Sequence, residues 1–387
     1  MKQVVISTRC QQDIGRGRIL LNEKDLQPTN LDNEFVHFQS QNGKFVASGY
    51  LSKQNKGVGW VLSKDKLNWS ESYLVEKFAV ARAKRRGYFE DSDTTAFRVF
   101  NQEGDGFPGF TVDLYGDYLL FSWYNSFVYN HRNEIVAGFQ KVFPECRGAY
   151  EKIRFKGPEY ESAHLYGEEA PEQFLVKENG VVYQVFLNDG LMTGIFLDQH
   201  EVRNDLANGL AKGQRLLNLF SYTAAFSVAA VAGGAVETVS VDLAKRSREL
   251  SQAHFLANEM SLEGHSFVIM DTFEYLRYAA RKGLSFDVIV IDPPSFARNK
   301  KQVFSVNKDY HRLVEESLKL LNPKGRMILS TNAAQLSLEK FQLQIQKGMG
   351  SSSYKIEKIH RLPMDFPSYA LESTSNYLKV IQIRVDE

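Results

Sequence analysis

The residues from Phe286 to Phe296 read Phe-Asp-Val-Ile-Val-Ile-Asp-Pro-Pro-Ser-Phe: an apolar run that ends in an acid, two prolines, a small polar residue and an aromatic. The run Val288–Ile291 suits a strand buried on both faces of a parallel sheet. Pro293 and Pro294 lack N–H groups and hold φ at about −65°, so the strand stops there and the turn carbonyls point in fixed directions. A carboxylate, rigid acceptors and a ring at the end of a strand suit a planar heterocycle. The ring stacks on it and the oxygens accept its N–H groups. Asp242 and Asp271 stand at the ends of two other predicted strands. Asp242 follows the Ser221–Phe226 loop by about 20 residues, the spacing at which a carboxylate takes a ribose diol. Asp271 can accept from an adenine amine. A dinucleotide would need G-x-G-x-x-G to bring backbone close to its pyrophosphate, and no glycine lies between Gln214 and Ala232. S-adenosylmethionine carries a ribose and an adenine but no phosphate, and the three acids fit it.

These acids need a frame that lines up strand ends. From residue 216 onward the pattern alternates. Strands are predicted at 216–220, 236–241, 266–270, 286–291, 326–330, 354–360 and 377–385. Helices fill 224–233, 244–260, 272–281, 308–321 and 337–347. Alternation of this kind gives a doubly wound, Rossmann-like α/β sheet with ligands at the carboxyl ends of its strands. The last strand follows a strand, so it is expected to run antiparallel. Ahead of this domain, residues 1–72 show short alternating segments and glycine turns, read as a small β-barrel. Residues 73–186 read as an α+β middle domain, and 187–387 as the wound domain. A helix is expected over 70–86, with Ser70 as its N-cap and a basic end.

Composition is that of an ordinary globular chain, and no apolar run approaches a membrane span. The first 18 residues lack a signal peptide's apolar core. Two cysteines, Cys10 and Cys146, give neither a disulfide framework nor a zinc site, so no metal is expected and the cytoplasm is the expected compartment. Net charge is +1 overall but uneven: +7 over residues 1–88, −8 over 89–185 and +2 over 186–387. A basic module ahead of an acidic one points to phosphates as the first module's partner. Lys84, Arg85 and Arg86 are its densest cluster. A second basic stretch follows the Asp-Pro-Pro turn, with Arg298, Lys300, Lys301 and Lys308 beside Tyr310 and His311. Aromatics among cations suit a single-stranded RNA backbone.

Four segments give the chain a resemblance to a known family. They are Glu103–Asp117, Thr193–His200, Leu217–Phe226 and Asp292–Phe296. On them the chain resembles the ribosomal RNA large subunit methyltransferase I group, nearly end to end. That resemblance implies a PUA-type RNA-binding domain, a middle domain and a class I methyltransferase domain that turns S-adenosylmethionine into S-adenosylhomocysteine. By position it implies that Phe196, Asp198 and Gln199 cover the cofactor. Asn218, Phe220, Ser221, Tyr222 and Thr223 would cradle its methionine part. Asp242 with Leu243 would hold the ribose, Asp271 with Thr272 would face the adenine, and Asp292 would lie beside the methyl. Large-subunit ribosomal RNA is the implied partner, and a homodimer is a further expectation.

Two departures bear on the chemistry. Ala224 and Ala225 stand where the family has glycines, and alanine is expected to fit there only with negative φ. The stretch Leu329–Gln335 has no cysteine, although C5 methylation of cytosine needs a thiolate to activate the ring. An acceptor with its own lone pair avoids that need. Asp292 and the Pro293 carbonyl would then orient an amine, Phe296 would stack the flipped base and Asn332 would touch its edge. Two alternatives stay open at this point: an RNA-binding protein whose cofactor domain is weak or inactive, and a small-molecule methyltransferase.

Overall fold

The computed structural model describes residues 2–54, 56–298 and 303–386. The chain divides into two compact units: residues 1–172, 186–193 and 364–375 in the first, and 173–185, 194–363 and 376–387 in the second. This division departs from the expected boundary at residue 187. Residues 173–185 join the wound domain, and a late segment joins the N-terminal unit.

The N-terminal unit starts with a five-stranded sheet ordered β1-β3-β4-β5-β2, formed by β1 (Lys2–Val5), β2 (Leu20–Leu21), β3 (Glu34–Gln39), β4 (Phe45–Gln54) and β5 (Gly57–Ser63), with α1 (Thr8–Gly15) between β1 and β2. Next comes α2 (Glu71–Lys84), where the Ser70 side chain accepts the Tyr73 N–H as the N-cap. A short α3 (Arg86–Phe89) leads to a second sheet, ordered β10-β9-β8-β7-β6. Its strands are β6 (Ala96–Asn101), β7 (Phe110–Tyr115), β8 (Tyr118–Trp123), β9 (Gly148–Ile153) and β10 (Ser162–Gly167). Helices α4 (Ser126–Asn130) and α5 (Arg132–Val142) connect β8 to β9, the one parallel pair in this sheet. The two sheets share a core in which Tyr50 stacks on Phe127 at 4.2 Å and donates its hydroxyl to the Pro108 carbonyl at 2.9 Å.

In the second unit a hairpin, β11 (Phe174–Glu178) and β12 (Val181–Val185), precedes α6 (His200–Asp205). A seven-stranded sheet then forms from β13 (Arg215–Leu219), β14 (Glu237–Asp242), β15 (His265–Ile269), β16 (Phe286–Ile291), β19 (Leu321–Thr331), β20 (Tyr354–His360) and β21 (Lys379–Val385). A two-stranded ribbon, β17 (Phe296–Arg298) with β18 (Val303–Ser305), follows β16. Helices α7 (Ala225–Ala232), α8 (Ser247–Ala257), α9 (Thr272–Arg281), α10 (Val306–Leu318) and α11 (Leu338–Met349) alternate with the strands. The sheet order is β15-β14-β13-β16-β19-β21-β20. The strand order of the parallel part reverses between β13 and β16, which makes that crevice the switch point. The last strand, β21, pairs antiparallel with both neighbours, as its place in the sequence predicts. Val288 to Ile291 is fully buried at the sheet centre. Among the described residues no helix is long and apolar enough to cross a membrane.

Candidate active site

Strand register aligns the acids. Leu219 pairs with Val241 on one side and Ile291 on the other, and Ile291 pairs with Leu329. Phe220, Asp242, Asp292 and Ser330 therefore stand one residue beyond a common level, on one rim. Asp271 joins them two residues beyond Ile269, which pairs with Asp242.

The loop after β13 holds three non-glycine residues in the left-handed region: Phe220 (φ 58°), Tyr222 (φ 50°) and Ala224 (φ 58°). Each costs on the order of 1 kcal/mol, so the surroundings must hold them. Ser221 N–H donates to the Val241 carbonyl at 3.0 Å, and Tyr222 N–H donates to Asp242 Oδ2 at 2.9 Å. The Thr223 hydroxyl donates to the Gly194 carbonyl at 2.7 Å, while Gly194 N–H donates to the Tyr222 hydroxyl at 3.0 Å. His254, fully buried, sets its two ring nitrogens 3.0 Å from the carbonyls of Thr223 and Gln184, and burial pushes its pKa down. The expectation that alanine needs negative φ here is corrected. Ala224 adopts φ 58°, and its methyl group is fully buried, away from the open rim; Ala225 begins α7. Asn218 is also buried, donating to the Ser227 hydroxyl at 3.1 Å.

Asp242 accepts backbone N–H groups from Tyr222 and, on Oδ1, from Ala244 at 2.9 Å. Asp271 caps α9 by accepting the Glu274 N–H at 3.1 Å, and Thr272 beside it is buried. Asp292 is gripped by Gln199, whose Nε2 donates to Oδ2 at 2.8 Å; Ser330 donates to Gln199 Oε1 at 3.2 Å. Burial raises the Asp292 pKa to about 6, against the opposing hydrogen bonds from Ser330 and Gln199. Asp198 accepts the Tyr377 hydroxyl at 2.8 Å. Ser295 donates to Asn332 Oδ1 at 2.8 Å, which ties the Asp-Pro-Pro turn to the loop after β19. Lys379 donates to the Ala333 carbonyl at 2.9 Å and the Tyr377 carbonyl at 2.8 Å. Three large apolar side chains of these segments stay exposed: Phe196 (48%), Leu243 (60%) and Phe296 (60%). Exposed rings and branched chains beside carboxylates suit the faces of purines and bases. The rim thus presents three carboxylates beside exposed apolar faces, and these residues fit S-adenosylmethionine.

Sequence reasoning missed several supports. Ser330, Ser295, Tyr377, Lys379, His254 and the pair Arg203–Glu178 carry no motif signal. Only Ser295 and Ser330 lay in stretches already singled out, and neither was given a role there. Some basic and aromatic candidates also fall elsewhere. Arg85 has no exposed surface; it is bonded to Asp105 at 2.7 Å and to the Asp365 carbonyl at 2.8 Å, so it is a structural residue and not an RNA contact. Arg86 is exposed and pairs with Glu90, while Lys84 is half-exposed beside Asp105. Tyr310 is likewise corrected: it is fully buried and donates to the Ile291 carbonyl at 3.0 Å, which leaves no ring face for RNA. His311 faces Gln344, and Lys308 is exposed. Arg298 ends β17, and Lys300 and Lys301 lie outside the described residues.

Comparison with known proteins gives two family matches: S-adenosylmethionine-dependent methyltransferase over residues 147–379 and PUA-like domain over residues 4–64. A Bacillus subtilis protein named for a ribosomal RNA large subunit methyltransferase, YwbD, is 40% identical, with 91% of each chain covered. Ribosomal RNA large subunit methyltransferase I of Tolumonas auensis is 30% identical over 91% of this chain and 90% of its own. A crystal structure titled as a methyltransferase complexed with S-adenosylhomocysteine, SMU.776, is 53% identical, covers 100% of both chains and has a TM-score of 0.95. A SAM-dependent methyltransferase structure from Streptococcus mutans, 51% identical, also covers 100% of both chains, with a TM-score of 0.92.

Proposed function

We propose that this chain, which belongs to the S-adenosylmethionine-dependent methyltransferase family, methylates a base of large-subunit ribosomal RNA in the cytoplasm, at an atom that carries its own lone pair. The family membership makes S-adenosylmethionine the cofactor. The names of its relatives and the PUA-like match support ribosomal RNA as the substrate. The observation that carries the acceptor type is the state of the cysteines. Both belong to the N-terminal unit, and burial pushes each thiol pKa up to about 12. Neither is a thiolate near neutral pH, and the loop after β19 has none to offer.

When bound, S-adenosylmethionine supplies an electrophilic methyl carbon: the acceptor's lone pair forms the new bond while the carbon–sulfur electrons return to sulfur. The protein's own part is to bind, align and manage charge. Asp242 with Leu243 takes the ribose, and Asp271 with Thr272 takes the adenine edge. Asp198 and Phe196, with Asn218 and the 220–223 loop, would hold the methionine part of the cofactor. Asp292, held by Gln199, accepts the N–H of the acceptor or the proton it sheds. The Pro293 carbonyl fixes its orientation, Phe296 stacks the base and Asn332 meets its edge. Lys84, Arg86 and the cations after the Asp-Pro-Pro turn would follow the RNA backbone.

The test is nucleoside mass spectrometry of ribosomal RNA from cells with and without this protein. One methylated nucleoside present only with the protein is expected; identical profiles would sink the reading. A Cys10→Ala, Cys146→Ala double variant restores the mark to the deletion strain. Loss of the mark in that variant, with folding intact by circular dichroism, would reinstate covalent chemistry.

A further inference from the structure

The N-terminal unit carries a cavity of about 510 Å³, lined by α2, the end of β5 and the turn Glu103-Gly-Asp-Gly106. That volume lies within the roughly 300–1,000 Å³ of small-ligand sites. The turn belongs to a segment of the family resemblance that the methyl-transfer site does not use. Its glycines are required by the geometry. A Cβ on Gly104 would sit 1.7 Å from the Pro367 carbonyl oxygen. Gly106 has φ 79°, and a Cβ there would lie 3.1 Å from Lys77 Nζ. The turn is fixed by Asp105, which accepts from Arg85 at 2.7 Å, the Asn101 N–H at 2.7 Å and Lys84 at 3.1 Å. Asp105 is thus shared between the buried Arg85 and Lys84, and the half-exposed Lys84 lines the cavity.

Lys77 is the informative residue. It is half-buried in the cavity wall and makes no ion pair among the described residues. Burial and the neighbouring Lys84 push its pKa below the usual lysine value, a cost that an anion bound there would relieve. Two polar atoms of lining residues also lack hydrogen-bond partners among the described residues: the Tyr73 hydroxyl and Glu103 Oε2, both shielded from solvent, while Glu103 Oε1 lies 3.8 Å from Lys56 Nζ. Leu62, Leu67 and Val80 supply apolar wall.

We propose that this cavity is a nucleotide-binding site, taking one unpaired nucleotide with its phosphate on Lys77 and Lys84 and its base between the apolar wall and the Glu103 carboxylate. A base amino group donates to the carboxylate, and a ring acceptor meets the tyrosine hydroxyl. The nucleotide is a unit of the RNA chain, an assignment that rests on the substrate proposed above; a free mononucleotide has the same chemistry. The site lies in the unit that bears the PUA-like match, so it would grip RNA away from the base being methylated.

The test measures binding of two probes to the full-length protein: a fluorescein-labelled single-stranded RNA of mixed sequence, followed by anisotropy across potassium chloride concentrations, and guanosine monophosphate, followed by calorimetry. Lys77→Glu is compared with wild type and with Lys141→Glu, which makes the same charge change at an exposed position of α5 and costs only the surface pair with Glu71. Lys77→Glu is expected to weaken RNA binding at least tenfold and to flatten the log–log salt slope by about 0.7, while Lys141→Glu stays within twofold of wild type. A nucleotide signal sensitive to Lys77 without any RNA binding keeps the site, names the free nucleotide as its ligand and removes the RNA substrate reading. If neither probe responds to Lys77→Glu, or both variants lose equally, the site does not exist as described. S-adenosylmethionine affinity and melting temperature, unchanged in Lys77→Glu, exclude misfolding; if that variant unfolds, Lys77→Gln replaces it.

Discussion

Asp292→Asn abolishes methyl transfer and at the same time makes the protein more stable at pH 8. The carboxylate is buried between Gln199 and Ser330, and its pKa is raised to about 6 from 3.8. A raised carboxyl pKa means that the folded state holds this proton more tightly than the unfolded chain does. Between the two values the native state carries more protons, so stability falls as pH rises and the penalty is complete above about pH 6. The shift corresponds to roughly 2–3 kcal/mol at 1.36 kcal/mol per unit. Asparagine accepts the Gln199 N–H without the charge, so thermal melts at pH 8 rise by several degrees. Activity takes the opposite course. Wild-type kcat/KM for RNA methylation rises through pH 6 with a slope of one and then levels; Asp292→Asn lies at least two orders of magnitude lower at every pH. A variant that keeps its activity would remove Asp292 from the chemistry. A variant no more stable than wild type at pH 8 would show that the carboxylate is well solvated.

Arg203→Ala gives the largest loss of stability in the wound domain, about 3–5 kcal/mol. Arg203 and Glu178 are both almost fully buried and form two parallel bonds of 2.6 and 2.7 Å. The same guanidinium donates to the Phe196 carbonyl at 2.6 Å. Truncation leaves Glu178 charged and unpaired in the hairpin β11–β12, and frees the backbone of the segment that covers the cofactor. Urea denaturation reads the first effect and S-adenosylmethionine calorimetry the second, expected as at least a tenfold loss. The double variant Arg203→Met, Glu178→Leu recovers most of the stability, because no charge is stranded, but not the affinity. Equal recovery of both would make the Phe196 bond irrelevant to binding.

The outline of the wound domain was legible because each strand is a dense apolar run closed by its own stop signal, and Asp292-Pro-Pro is the sharpest of these. The antiparallel β21 followed from one observation, a strand directly after a strand. The positions of Asp242, Asp271 and Asp292 were readable for the same reason: a strand end in a parallel sheet is a location on a rim. What holds them was not. Gln199 and Ser330 meet across 131 residues, and Tyr377 reaches Asp198 across 179, distances over which local pattern says nothing. Ala224 misled because a left-handed alanine is costly; the bonds from Thr223 and Tyr222 to Gly194 that hold its loop are long-range too. Arg85 misled for the opposite reason. A run of three basic residues looks like surface, yet the break between α2 and α3 turns the middle one into the core, where Asp105 and the carbonyls of Ala81, Arg98 and Asp365 accept from it.

The return of residues 364–375 to the N-terminal unit sets an order on synthesis. Asp365 supplies its carbonyl to Arg85 and its carboxylate to the Arg98 N–H at 3.0 Å, and Pro367 supplies its carbonyl to Asn101 at 2.8 Å. On a translating ribosome the first unit emerges early, but Arg85 lacks one of its carbonyl acceptors, and the Arg98 N–H and the Asn101 amide lack theirs, until residues 365–367 have left the exit tunnel. Domain-by-domain maturation from the N-terminus, the usual route for a chain of this size, would therefore leave the first unit without these bonds until most of the second has been made.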